Sequence, residues 1–95
     1  MVTTAQKQRQ ALGKRIKELR ATRSMTQEDL AERCDMFRTY MSRIESGMAN
    51  PTLTMLYALA AGLEVEIQAL FEPVQQAPKN RVRALRPTSR GRVER

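Results

Sequence analysis

Residues 26–47 read TQEDLAERCDMFRTYMSRIESG, and the fold turns on how that stretch divides. Thr26, with Asp29 three positions on, marks a helix start: the hydroxyl accepts from a first-turn amide and the acidic side chain reaches back to the cap amide. The run from Gln27 to Arg33 then predicts a short helix that buries Leu30 and Ala31, with Cys34 at its inner end. Phe37, Tyr40, Met41 and Ile44 recur at helical spacing, and Gly47 follows, where a left-handed residue ends a helix at least cost. This predicts a second short helix over 37–45.

Only Cys34 to Met36 or Phe37 separate the two segments, and so short a connection holds them at a sharp angle, a helix-turn-helix arrangement. Upstream, Leu12, Ile16 and Leu19 form one apolar stripe, with Ala5 earlier on it, and predict a helix from about Thr4 to Thr22. Downstream, Asn50-Pro51 is a turn and Thr52 a cap. Leu53, Leu56, Leu59, Ala60 and Leu63 then predict a fourth helix over about 52–61, and Ile67, Leu70 and Phe71 a short fifth over 66–71. The expected fold is all-α: one five-helix domain over residues 4–71, followed by a disordered basic tail over 72–95.

Composition agrees. A chain of 95 residues, 41% apolar, builds one small core, and four aromatics against many Leu, Met and Ala favour helices. A lone Cys34 makes no internal disulfide, which suits a reducing cytoplasm. With no His and one Cys there is no metal cluster, imidazole base or nucleophile pair, so neither an enzyme nor a cofactor or metal is expected. No stretch is apolar for long enough to enter a membrane.

The charge of +7 is uneven: residues 1–71 hold 10 basic and 8 acidic groups, and residues 72–95 hold 7 and 2. The tail combines Pro73, Pro78 and Pro87 with six arginines, a composition that does not bury enough apolar surface to order itself. Lys7, Arg9, Lys14, Arg15, Lys17, Arg20 and Arg23 make the first helix read as a basic flank. A polyanion is the natural partner.

On the second helix of the pair, Tyr40, Met41 and Ile44 face partly inward, with a purely core Tyr40 as expected as one whose hydroxyl reaches out, which leaves Arg38, Thr39, Ser42 and Arg43 directed at a groove. A guanidinium such as that of Arg38 can hold guanine O6 and N7 together, worth about 1–3 kcal/mol of discrimination. Thr39 can pair with a base edge or touch a thymine methyl. For Arg43 a phosphate contact is as expected as a base contact. Gln27 sits at a helix start, where free amides attract phosphate, or is simply solvated. Phe37 either presses on a thymine methyl or sugar, or folds back onto the preceding helix, and the second is the plainer expectation.

The segments MTQEDLAERC, RTYMSRIESG, NPTLTMLYALA and GLEVEIQALF, in this order, resemble the Xre family with its lambda-repressor-like helix-turn-helix fold. RTYMSRIESG together with MTQEDLA is most similar to the controller proteins of restriction-modification systems. The resemblance implies a double-stranded DNA partner, a backbone clamp at Gln27, a base-reading position at Thr39, a Tyr40 hydroxyl reaching a phosphate, and an internal ion pair between Arg20 and Glu45. Against the family pattern, Phe37 stands for a small polar cap, and Met48 and Ala49 for basic residues, which leaves Asn50 to contact phosphate. Asp35 replaces a turn glycine. Gly62 and Glu64 stand for a helix former and a helix-ending glycine, so the fourth helix is expected to stop a turn early.

One short helix reads few base pairs, so specificity calls for a homodimer on a near-palindromic operator. Tyr57, Leu63, Val65, Ile67 and Phe71 are the candidate interface, and each is equally expected to complete the chain's own core. The expected role is a transcriptional regulator or repressor. The alternative is an antitoxin or assembly subunit that binds a protein partner and regulates its own promoter.

Overall fold

Three of the four α-helices begin on a threonine, as their sequences require. In the computed structural model, which describes residues 3–74, α1 spans Thr4–Thr22, α2 Gln27–Arg33, α3 Arg38–Glu45 and α4 Leu53–Leu63, followed by a 3-10 turn at Ile67–Phe71. No strand occurs among the described residues. Thr3 and Gln6 form a reciprocal cap on α1, Thr26 and Asp29 do the same on α2, and Thr52 accepts the Met55 amide on α4. Helix α3 starts one residue later than its periodicity suggests. Phe37 is its N-cap and has no side-chain cap bond.

The α2 cap titrates. Hydrogen bonds from the backbone and then the side chain of Thr26 hold the Asp29 carboxyl below its ordinary range. A carboxylate depressed by folding supports the fold above about pH 4 and loses that support as the pH falls through its folded value. The Tm difference between the native chain and Asp29→Ala is therefore expected to be level from pH 7 to 5 and to shrink below about pH 4. A difference unchanged at pH 2 would contradict this.

The core gathers one face of each helix. Ile16, Leu30, Met41, Ile44, Leu59, Leu63 and Leu70 are fully buried, with Leu19, Met25, Ala31, Cys34, Ala49 and Ala60 around them. Ala5 is exposed, so the α1 stripe reaches the core only from Leu12 onward. Cys34 donates its thiol to the Ala58 carbonyl at 3.4 Å, and burial pushes its pKa up, which keeps it an unreactive core group.

Helix α4 does not stop early. Gly62 is where α4 meets α2: a Cβ there would lie 2.9 Å from Cys34 Sγ and 3.1 Å from Leu30 Cδ1, so the absence of a side chain permits the packing. The helix continues to Leu63 and ends with Glu64 in the left-handed region (φ 60°, ψ 43°). Arginines take its terminal carbonyls. Arg23 donates to Leu63 and Glu64, and Arg33 donates to Gly62 at 3.3 Å. Cations there also oppose the negative end of the helix dipole. Asp35, which stands for a turn glycine, is left-handed (φ 55°), and so is Ser24 (φ 55°).

The fifth segment forms a 3-10 turn rather than an α-helix, and it is fixed from α1. Buried Arg15 donates to the Ala69 carbonyl at 2.7 Å, Glu18 at 2.7 Å and Glu72 at 2.9 Å. This corrects the reading of α1 as a uniform basic flank. Arg15, Arg20 and Arg23 are engaged internally and Arg9 reaches the Gly47 carbonyl at 3.4 Å, while Lys7, Lys14 and Lys17 are exposed. Glu72 is tied to the domain, and residues 75–95, most of the expected tail, lie outside the described residues.

Candidate nucleic-acid interface

Helix α3 is held from below by three separate devices. Met41 and Ile44 are in the core. Gly13 of α1 lies directly against its last turn, where a Cβ would come within 2.4 Å of the Glu45 carbonyl oxygen and 2.7 Å of that of Ile44. The Glu45 side chain, only 1% exposed, then receives Arg20 Nε at 2.8 Å on Oε2 and Arg20 Nη2 at 2.9 Å on Oε1. Gln27 Nε2 adds a third bond to Oε1 at 3.0 Å, and Arg20 Nη1 also holds the Met25 carbonyl at 2.9 Å. The hydrogen bonds to Glu45 raise the Arg20 pKa.

One cluster therefore joins α1, the α1–α2 connection, α2 and α3. A forked guanidinium fixes orientation as well as distance, because both of its bonds must be kept together. Gly47 follows with φ 79°, which turns the chain away from α3 toward Asn50.

The opposite face of α3 is open. Arg38, Thr39, Ser42 and Arg43 are all exposed, and Tyr40 is half-buried with its ring against the core. Arg38 lies 3.8 Å from Glu28, an exposed pair of the kind worth less than about 1 kcal/mol and readily exchanged for another anion. Arg43 donates to the Met48 carbonyl at 3.0 Å and so leans toward the loop after α3. Asn50 is exposed nearby in sequence.

Gln27, expected as a free clamp, is half-buried and already spends one donor on Glu45. Phe37 does not fold back onto α2: it is 85% exposed. Met36, one residue earlier, packs on the core instead, and its amide donates to the Ala31 carbonyl at 2.9 Å.

The expected dimer surface divides. Leu63 is fully buried within the chain and is unavailable to a partner, because α4 runs on into the core there. Val65 and Ile67 are half-buried, whereas Tyr57 and Phe71 are more than half exposed. Leu53, also exposed, shares a face of α4 with Leu56 and Tyr57.

Two structural residues escaped the pattern reading although both carry a signal. Arg15 falls between Leu12 and Ile16 on the buried stripe, a position that demands internal partners for a charge. Gly13 sits mid-helix, where glycine is about 1 kcal/mol worse than alanine unless packing requires it. Among the described residues no group of acidic, Cys or His side chains is placed to hold a metal, and no helix is long and apolar enough to cross a membrane.

The helix-turn-helix family model HTH_3 matches residues 16–70, from the middle of α1 through the 3-10 turn. The chain belongs to the HTH_3 family. Within this HTH_3 domain, α2 and α3 are the helix-turn-helix pair. The chain is 39% identical over 59 residues to the immunity repressor protein of Bacillus phage phi105, covering 62% of this chain but only 41% of that repressor.

Among solved structures, the restriction-modification controller protein C.AhdI from Aeromonas hydrophila superposes with a TM-score of 0.65 at 33% identity, covering 66% of this chain and 96% of C.AhdI. The controller protein C.Esp1396I, solved as a tetramer in complex with its natural 35 base-pair operator, matches with a TM-score of 0.63 at 34% identity over 74% of this chain and 88% of that one.

Proposed function

We propose that this HTH_3 protein is a sequence-specific, double-stranded-DNA-binding transcriptional regulator that acts as a homodimer, with α3 in the major groove at each half of a near-palindromic operator. The observation that carries the reading is the contrast between the two faces of α3. Met41, Ile44 and Glu45 lock one face to the domain, and Arg38, Thr39, Ser42 and Arg43 stand open on the other. Similarity to a controller protein solved on its operator supports it, and the phage immunity repressor supports repression as its direction.

In this reading Arg38 and Thr39 are the main base contacts, with Ser42 and Arg43 beside them. Gln27, through the N–H it does not give to Glu45, together with Tyr40 and Asn50, holds phosphates. Tyr57 and Phe71, flanked by Val65, Ile67 and Leu53, form the twofold contact that sets the recognition helices about 34 Å apart. The cations of residues 75–95 would add contacts that steepen the salt dependence by about 0.9 per phosphate neutralised.

Selection of bound sequences from a random duplex pool tests the whole scheme, since it reports site, symmetry and spacing together. Arg38→Ala is expected to relax preference at one G·C pair in each half-site by about 1–3 kcal/mol, and Thr39→Ala at the neighbouring position. If both variants select the same sequences with the same discrimination as the native chain, α3 is not the reader.

A further inference from the structure

We infer that Phe37 is a specificity-determining residue that reads the C5-methyl group of a thymine at the edge of the base pairs approached by Arg38 and Thr39. The inference rests on the DNA-binding reading above and adds a residue and a chemistry to it.

Three observations converge on this side chain. Phe37 occupies the N-cap of α3, where a Ser, Thr, Asp or Asn would satisfy a free amide, and it makes no side-chain cap bond. The sequence therefore forgoes a stabilising cap at this position. The phenyl ring is also 85% exposed, more than Leu53, Met48, Phe71 or Tyr57, so it contributes almost nothing to the core. Finally, the residue packed on the core at this point of the chain is Met36, and Phe37 is not among the side chains gathered there.

A residue that neither caps nor packs within its own chain is suited to pack against something else. Its position settles what that is. It immediately precedes Arg38 and Thr39, and the first residues of a recognition helix are those that come nearest the base edges. An apolar ring there has no donor or acceptor to offer. The apolar feature of the major groove is the thymine methyl, which such a ring can cover and remove from water.

The test exchanges single thymines of the selected operator for deoxyuridine, which removes the methyl group and leaves pairing unchanged. For the native chain, one thymine per half-site is expected to weaken binding about fourfold when replaced, the worth of one buried methyl. In Phe37→Ala the same exchange is expected to have no effect. Phe37→Ser supplies the missing cap, so it is expected to raise Tm while showing the same insensitivity to deoxyuridine, which separates the methyl contact from folding. If Phe37→Ala keeps the native deoxyuridine profile, the inference fails while the DNA-binding reading stands. If the native chain selects no duplex sequence, both fail.

Discussion

Glu45→Ala is expected to lower the unfolding free energy by about 3–5 kcal/mol, the usual consequence of stranding a buried charge. A domain of about 70 residues has roughly 4–10 kcal/mol to lose, so the variant should be close to unfolded at 37 °C. The reason is local. Glu45 is 1% exposed and takes two bonds from Arg20, whose side chain is itself 19% exposed, and one from Gln27. Removing the carboxylate leaves a guanidinium and a carboxamide aimed into a space that no longer accepts from them.

Urea denaturation followed by circular dichroism gives the number. The companion experiment replaces both partners: Arg20→Met with Glu45→Leu is expected to recover much of the loss, because apolar groups of similar size need no partner. If Glu45→Ala alone costs under about 1 kcal/mol, the cluster is not what fixes α3.

Gly13→Ala is expected to destabilise the fold by about 2 kcal/mol or more, against the sign that helix propensity alone predicts. In an exposed helix the change would gain about 1 kcal/mol. Here the added Cβ meets backbone, 2.4 Å from the Glu45 oxygen and 2.7 Å from the Glu45 carbon, and backbone has no rotamer by which to withdraw. Helix α1 must move off α3 by roughly 1 Å to restore normal contact, and a forced displacement of this kind typically costs about 1–3 kcal/mol or more.

The displacement would also stretch the Arg20–Glu45 bonds, since Arg20 lies two turns along α1 from Gly13 and holds the same residue of α3, so Gly13→Ala and Glu45→Ala should be less than additive. Thermal melts of the two single variants and the double variant check both statements. A higher Tm for Gly13→Ala would show that the two helices are not in contact as described.

Much of the scaffold was legible because it follows from local rules. The limits of α1 and α2 follow from an apolar stripe at helical spacing and from the Thr26 cap, interactions that span three or four residues. Periodicity alone starts α3 one residue early, because Phe37 fits the apolar period yet lies outside the helix. At the end of α4, Gly62 and Glu64 have the local character of breakers, and only their neighbours in space carry the helix on to Leu63. The glycine is matched to Cys34 and Leu30 of α2, and the helix end is held by arginines from α1 and α2.

The candidate site shows the same division. Its outward residues, Arg38, Thr39, Ser42 and Arg43, were found by removing Met41 and Ile44 from the face of one helix. Of the cations, only Arg20 has its partner, Glu45, implied by the resemblance; a sequence gives a charge but not its direction, and the buried ties of Arg15 and the hold of exposed Arg23 on the end of α4 come only from the structure. Leu63 read as interface and is core.

The sequence by itself determined four helices, their order, the short turn that pairs α2 with α3 and the polar face that α3 turns outward, because each depends on contacts a few residues apart. Beyond the Arg20–Glu45 pair that the resemblance implies, the tertiary structure decided how α3 is held. Gly13 and Arg20 meet Glu45 across more than twenty residues of chain, and only the folded path brings a glycine, a guanidinium and a carboxylate to one point.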